Sequence, residues 1–514
     1  MAVAVFRNTL FNVGGYLVAV LSAFLVAPIT LRSLGDTRYG AWSLVAELVG
    51  YYGLLDLGIR GAVTYYVATY SARRGQDEVR ETVASAFWVL AACGLLAFVG
   101  GVVLTAAFPY LFTSAAVDVA EVRVALLIMS ALIALSLPMN ALSGALIGRE
   151  RFDITASIEA ANRILTAVCY YVVLTAGGGL VALALVQAAG RVLSWGCTLV
   201  ACTRVLGGMH TAPRWFRRER VRDLLAYGLR NAVGGIANLV IYRTDLIIVG
   251  VFVGLEQVTF YAIGGTLVSY ASSLCTQFTF VFTARFTHLE SRGAKDEVHR
   301  LYLDGLRVVG MVVTGTAAGL LVFGRHFISL WLGAEYVSGP WVSRSDVIMG
   351  ILLLASVPRL LQSVSWQRLY AMARVRFLMW LAVCEAIANL GLSIVLVRRF
   401  GAAGVAMGTF FPLVVSHVVI MPLYSSRTFG VPLAHLVRRG FATPLLTGLL
   451  LTGVNLACVT IAPPTSWVVF FADVICAGVV GGLICIGVGL SRPERRSLFA
   501  KFWKRGSSEP GGPA

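Results

Sequence analysis

Apolar segments long enough to cross a bilayer recur along almost the whole chain. Many contain 18 or more residues with few charges, and a helix of about 20 residues spans the roughly 30 Å hydrocarbon core of a membrane. Of the 514 residues, 58% are hydrophobic and only 13% are charged. The strict alternation over about ten residues that a transmembrane β-barrel requires is not seen. The sequence therefore predicts an all-α polytopic membrane protein.

The apolar pattern predicts about fourteen transmembrane helices, with ends defined to within several residues. The predicted spans are 8–30, 40–66, 82–108, 123–147, 153–176, 179–203, 224–252, 259–284, 302–324, 346–368, 376–397, 402–424, 440–461 and 467–490. One Arg precedes the apolar run of the first span, and this region has no small-residue cleavage site. We therefore expect an uncleaved first helix rather than a signal peptide.

Short motifs return in order after an offset of 220 to 227 residues, which indicates an internal duplication. Ser136-Leu137-Pro138 returns as Ser356-Val357-Pro358, and the segment from Glu159 to Asn162 is echoed from Glu385 to Asn389. Two parallel six-helix repeats would form two lobes, the usual architecture of a carrier. The predicted domains are an N-terminal six-helix lobe at 1–204, a basic cytoplasmic linker at 205–223, a C-terminal six-helix lobe at 224–424, two additional transmembrane helices at 425–490 and a basic cytoplasmic tail at 491–514.

The net charge of +17 follows the distribution expected for a membrane protein, so it does not indicate nucleic acid as a partner. With residues at span ends counted in the adjoining loops, 28 of the 42 Arg and Lys residues fall on one side and 7 on the other. This bias predicts that both termini are cytoplasmic, in the inner membrane of a bacterium. The basic linker and tail also carry aromatic residues, and we expect them to lie on anionic inner-leaflet lipids.

Enzyme and metal motifs are absent from the sequence. There is no HExxH, GxSxG, P-loop or DxD pattern, and the nine Cys lie inside or at the ends of apolar segments without ligand spacing. The longest external loop, at 325–345, is short for the catalytic loop of a membrane glycan polymerase or ligase. We expect a protein that is not an enzyme and has no cofactor or metal.

Charged residues inside predicted spans are the candidates for function, because each costs about 2.5–3.5 kcal/mol at the centre of a helix. Asp56 and Arg60 are four residues apart, as are Glu159 and Arg163, so each pair shares a helix face. Either these are structural ion pairs, or Arg60 and Arg163 face a hydrated cavity and contact an anionic substrate. The sequence leaves both interpretations open.

Further candidates lie in the second repeat. Arg243 and Asp245 are two residues apart, about 200° around a helix, so one of them should meet another helix. Arg359 and Glu385 complete the candidate substrate-binding set. Pro138 and Pro358 bend matching spans and are candidate hinges. Arginine suits a phosphate ligand because its guanidinium binds oxyanions in a bidentate manner, and we expect Arg60 and Arg243 to contact such a ligand.

Three segments form recognisable motifs: the LGxxxYG turn at 34–40, the DLG segment at 55–58 and the stretch from Tyr242 to Gly254, with Asp245 and Gly250. They resemble segments of the polysaccharide and O-antigen flippases of the multidrug/oligosaccharidyl-lipid/polysaccharide exporter superfamily. The resemblance implies a two-lobed helical bundle and a polyprenyl-diphosphate-linked oligosaccharide as substrate. It also implies alternating access coupled to H+ or Na+. A glycan polymerase and chain-length machinery are partners that such a flippase would have.

Three alternatives share features with this interpretation. A flippase for the peptidoglycan precursor lipid II also has fourteen helices and a cationic cavity. A cation-coupled drug antiporter is disfavoured by the cations in the spans and by the lack of an acidic residue in the first span. A membrane glycan polymerase or ligase is disfavoured by the short external loops.

Overall fold

The computed structural model describes residues 20–73, 75–112, 118–208 and 211–489. Within these ranges every regular element is helical, as predicted. The start of the first predicted span and the predicted tail at 491–514 lie outside the described residues. The chain forms two compact units. Unit 1 comprises the residues up to Ala262 together with Ala382–Val405, and unit 2 comprises Ile263–Leu381 together with the residues from Ala406 onward.

The helices follow the apolar segments closely. They are α1 (Val20–Leu34), α2 (Asp36–Gly50), α3 (Ile59–Ala72), α4 (Gln76–Leu111), α5 (Val119–Gly148), α6 (Phe152–Thr175), α7 (Leu180–Leu206), α8 (Arg218–Phe252), α9 (Leu255–Gln277), α10 (Phe280–Ser291), α11 (Lys295–Trp331), α12 (Ser345–Leu361), α13 (Ser363–Ala371), α14 (Val375–Phe429), α15 (Leu433–Ile461) and α16 (Trp467–Gly487). The predicted five-part domain division stays a prediction.

Nine of the helices in the described ranges are long and apolar enough to cross a membrane, and a tenth results if the bent pair α12–α13 is one span. Helix α14 has 55 residues, or about 80 Å at 1.5 Å per residue, which exceeds twice the bilayer core. Gly401, at φ 52° and ψ −138°, breaks it between the predicted spans 376–397 and 402–424. The chain is thus a multi-pass helical membrane protein, and the count of fourteen stays a prediction.

Local sequence explains where several helices begin and end. The Asp118 carboxylate accepts a hydrogen bond from the backbone N–H of Ala120 at 2.9 Å and caps α5. Ser466 caps α16 in the same way. Gly207, at φ 74°, ends α7 in the left-handed conformation that glycine adopts without strain.

The core of unit 1 lies between α3, α4 and α5. One side of α3, formed by Ile59, Ala62, Val63 and Val67, is fully buried. Glycines on α5 let the two backbones approach closely: a Cβ added to Gly144 would lie 2.8 Å from the carbonyl oxygen of Arg60. Small residues have this role in membrane helix pairs because packing there depends on close contact.

The core of unit 2 surrounds Tyr302 on α11, which is fully buried. Arg368 on α13 is also buried and pairs with Glu290 on α10 at 3.4 Å. Its guanidinium lies 4.1 Å from the ring centroid of Phe429. A buried charge is tolerated because these contacts replace water.

The basic linker is held against unit 1. Arg217 and Arg220 pair with Glu81 on α4 at 3.2 and 3.3 Å, and Arg220 donates to the hydroxyl of Tyr70 at 2.7 Å. The guanidinium of Arg214 lies over the indole ring of Trp215, 5.7 Å from the ring centroid. The linker is therefore anchored by specific contacts, and its expected contact with anionic lipids stays a prediction.

Candidate functional site

The predicted second span is a broken helix. Helix α2 ends at Gly50, a 3-10 turn follows at Tyr51–Asp56, and α3 begins at Ile59. Leu57 and Gly58 between them adopt φ 50° and φ 72°. This corrects the expectation that Asp56 and Arg60 share one helix face, because the left-handed pair ends the helical period between them.

The carboxylate of Asp56 accepts hydrogen bonds from two elements. It accepts a hydrogen bond from Nδ2 of Asn140 on α5 at 3.1 Å, and it also accepts one from the backbone N–H of Arg60. The Arg60 side chain is exposed. The break thus places a carboxylate at the N-terminal end of α3, where the helix dipole favours a negative charge, and directs the guanidinium outward.

Helix α8 runs antiparallel to the broken helix within unit 1, and the first turn of α9 also contacts α2. Gly228 contacts Gly58, Arg243 reaches Glu47, and Thr259 donates to the carbonyl oxygen of Asp36 at 2.6 Å. A Cβ on Gly228 would overlap the carbonyl oxygen of Leu57. The pairing places Glu47 of α2 beside Arg243 of α8.

Arg243 forms an ion pair with Glu47. Its Nη1 lies 2.9 Å from Oε2 of Glu47, and the guanidinium occupies the space beside Gly50, where an added Cβ would overlap it. The next residue, Thr244, shares a 2.5 Å hydrogen bond with the hydroxyl of Tyr51. The Arg243 side chain remains 42% exposed, so an oxyanion can approach it without disrupting the core.

Asp245 points to a different partner, as its 200° separation from Arg243 requires. It is buried, and its Oδ2 accepts a hydrogen bond from the hydroxyl of Tyr261 on α9 at 2.6 Å. Glu385 in the 382–405 part of α14 is also buried, one turn before the buried Asn389. Ile241 of α8 packs with Ala386 of α14. Unit 1 therefore contains two buried carboxylates on packed helices.

The remaining predicted residues are dispersed. Glu159 pairs with Arg191 on α7 at 3.0 Å, and its expected pairing with Arg163 stays a prediction. Arg163 is exposed on α6. Arg359 lies half-buried on α12 in unit 2. The structure brings Asp56 close to Arg60 and places both beside α8, but it does not gather all seven candidates at one point.

The two candidate hinge prolines, Pro138 and Pro358, both lie inside continuous helices. Helix α5 continues through Pro138, which is buried. Helix α12 also continues through Pro358, and the chain bends by 40° at Gln362, between α12 and α13. The bend follows the proline by one turn and does not coincide with it.

Sequence reasoning missed the partners of the charges. Glu47 lies in the predicted second span, and nothing in the sequence links it to Arg243, which is 196 residues away. The glycines at positions 50, 53 and 58 gave a usable signal for the break. In the described parts of the chain, no group of three His, Cys, Asp or Glu residues could hold a metal ion.

A multi-pass helical bundle in which a predicted span is a broken helix with charged residues is typical of membrane transporters. The comparisons with known proteins give the family. Residues 72–339 match the family described as "Polysaccharide biosynthesis protein", and the chain belongs to this family. The resemblance to polysaccharide and O-antigen exporters is thereby confirmed.

Two relatives align with this chain over most of their own length. A protein of Shigella flexneri named "Putative O-antigen transporter" is 22% identical over 82% of this chain and 98% of its own length. The "Uncharacterized membrane protein EpsK" of Bacillus subtilis (strain 168) is 20% identical over 96% of this chain and 97% of its own. Both alignments extend well beyond the family match.

Solved structures show the same fold. An inward-facing multidrug resistance MATE family transporter of the MOP superfamily has a TM-score of 0.68 and 14% identity, covering 81% of this chain and 98% of its own. The lipid II flippase MurJ has a TM-score of 0.68 and 13% identity, covering 97% of this chain and 100% of its own. At such identities the likeness establishes the fold alone.

Proposed function

We propose that this protein moves a polyprenyl-diphosphate-linked oligosaccharide, an O-antigen or exopolysaccharide repeat unit, across the cytoplasmic membrane. The movement is from the inner to the outer leaflet, by alternating access. Family membership supports a role in polysaccharide biosynthesis. The protein acts as a carrier rather than an enzyme, since moving this lipid requires no covalent step.

The observation that carries this proposal is the exposed Arg60 at the start of α3, beside the break in the predicted second span. An exposed cation in a membrane span needs water or an anionic ligand to offset its cost. Discontinuous helices often form the substrate sites of transporters. Arg243, partly exposed on the antiparallel helix, is the second cation for the diphosphate.

Energy for transport comes from H+ or Na+ in this proposal. Asp245 and Glu385 are 4% and 5% exposed, and carboxylates inside a membrane protein mark ion and proton pathways. Asp245→Asn would then remove the dependence of transport on the ion gradient. Glu159→Gln, at a surface carboxylate, serves as the matched control.

The expected setting is the bacterial inner membrane, with both termini in the cytoplasm. The linker and the tail would contact anionic lipids there. A glycan polymerase and its chain-length machinery would receive the substrate on the outer side.

The proposal is tested by deleting the gene and extracting lipid-linked intermediates. Accumulation of a polyprenyl-diphosphate oligosaccharide in the inner leaflet is expected, and the intact gene should reverse it. Arg60→Ala should fail to reverse it at normal protein abundance, and Arg60→Lys should do so poorly because an ammonium lacks bidentate geometry. Normal export in the deletion strain would contradict the proposal.

A further inference from the structure

One side of α3 is exposed although α3 overlaps a predicted membrane span. This side, the α3 face, consists of Arg60, Gly61, Tyr65 and Ala68. The opposite side is buried against α4 and α5. The division follows the helical period, since the exposed positions fall within an arc of about 140°.

The α3 face differs from the exposed sides that suit lipid. On α4 the exposed residues include Leu95, Leu96, Val99 and Val103, all aliphatic. The α3 face offers an arginine, a tyrosine and two small residues instead. Intramembrane charges face water-filled cavities or protein partners, so the α3 face is suited to water and to a polar ligand.

An aromatic pair stands at one edge of the α3 face. The ring of Tyr65 stacks on that of Tyr227 from α8, with centroids 5.0 Å apart and planes 16° apart. Tyr66 meets Tyr65 edge-on at 5.2 Å. Tyr65 nevertheless keeps 51% of its surface exposed. One face of the ring is therefore supported while much of the side chain is open to a ligand.

Arg60 stands at the other edge. Five residues along a helix correspond to a rise of about 7.5 Å and a rotation of about 140°, so Arg60 and Tyr65 flank the small residues between them. A Cβ added to Gly61 would meet no atom within 4 Å. The space between the guanidinium and the aromatic pair is open.

We propose that the Tyr65–Tyr227 pair is a stacking platform for the first sugars of a phosphate-linked saccharide whose phosphate is held by Arg60. One face of a pyranose ring presents C–H bonds, which pack on an aromatic ring, while its hydroxyl groups remain at the edge. Tyrosine combines an apolar ring with a polar hydroxyl and suits such a ligand. The inference rests on the proposed function and adds which residues contact the saccharide.

The test measures the affinity of the purified full-length protein in nanodiscs for two probes. One is polyprenyl diphosphate, and the other is polyprenyl diphosphate carrying one N-acetylglucosamine. The wild type should bind the sugar-bearing probe about fivefold more tightly, a typical contribution of an aromatic contact. Tyr65→Leu should remove this preference and leave the affinity for the sugar-free probe unchanged.

Three controls sharpen the result. Tyr65→Phe retains the ring and should keep the preference, as should Tyr110→Leu, at an 87% exposed tyrosine of α4. Arg60→Gln should weaken the binding of both probes. If Tyr65→Leu does not fold, Tyr65→Thr at the same half-exposed position replaces it.

The outcomes separate the two proposals. The platform is overturned if Tyr65→Leu keeps the preference for the sugar-bearing probe. It is also overturned if Tyr65→Leu lowers the affinity for both probes equally. Equal binding of both probes by the wild type also overturns the platform and leaves the proposed function standing. Binding of neither probe contradicts both.

Discussion

The guanidinium of Arg243 lies 2.9 Å from the carboxylate of Glu47, on an antiparallel helix 196 residues away in the chain. Gly50, one turn after Glu47, leaves the space that the guanidinium occupies. An arginine and a carboxylate in the membrane offset each other's cost. Arg243 stays partly exposed, and the proposed function has the same guanidinium exchange its carboxylate partner for a phosphate.

Gly50→Ala is expected to reduce glycan export about tenfold or more, because the added methyl group displaces the Arg243 guanidinium, and a misplacement of about 1 Å can have such an effect. Alanine favours a helix by about 1 kcal/mol over glycine, so protein abundance should not fall. Gly53→Ala is the control, since its Cβ would meet no atom within 4 Å. Equal export by both variants would contradict the role of this contact.

Glu47→Gln should tighten binding of polyprenyl diphosphate, because the carboxylate no longer competes with the diphosphate for Arg243. Arg243→Gln should weaken it. The affinity of purified variants in nanodiscs is the measurement. Glu159→Gln, which removes the carboxylate of the Arg191 ion pair, should have no effect. Weaker binding by Glu47→Gln would show that the carboxylate positions Arg243 and does not compete for it.

Tyr261→Phe should lower thermal stability, because it removes the 2.6 Å hydrogen bond that the buried Asp245 accepts. An intramolecular hydrogen bond contributes about 0.5–1.5 kcal/mol of net stability. The midpoint of thermal unfolding in detergent, followed by fluorescence-detected size exclusion, gives the comparison. Tyr110→Phe, at an exposed tyrosine, should leave the midpoint unchanged. A wild-type midpoint for Tyr261→Phe would mean that this hydrogen bond adds no net stability.

Replacing Pro138 and Pro358 by Ala should keep the protein folded and slow transport more than it weakens substrate binding. Each proline removes a backbone hydrogen bond from a helix, so alanine restores it and stiffens the helix. Separate measurement of substrate affinity and of the single-turnover rate distinguishes the two effects. Pro109→Ala, in the last turn of α4, is the control. Reduced affinity with an unchanged rate would indicate that the prolines shape the site instead.

An alkaline phosphatase fused after Ala514 should be inactive, and a fluorescent protein fused there should fluoresce. The 28 to 7 distribution of Arg and Lys is the reason, since positive charges remain on the cytoplasmic side. A fusion within the predicted external loop 325–345 should give the opposite result. An active phosphatase at the C-terminus would overturn the predicted topology.

The sequence by itself determined the fold class and the family. Apolar segments of about 20 residues must become helices in a bilayer, because the backbone has no other hydrogen-bond partners there. The LGxxxYG and DLG segments were enough to indicate the exporter family. The cost of intramembrane charge also singled out Asp56, Arg60, Arg243 and Asp245 without any structure.

Tertiary structure alone decided which residue each charge contacts. Helical spacing predicts neighbours three or four positions away, so it suggested Arg163 for Glu159 and Arg60 for Asp56. The structure adds partners on other helices, Arg191 for Glu159 and Asn140 for Asp56. Helix packing brings such residues together across long stretches of sequence, and periodicity within one helix carries no information about that packing.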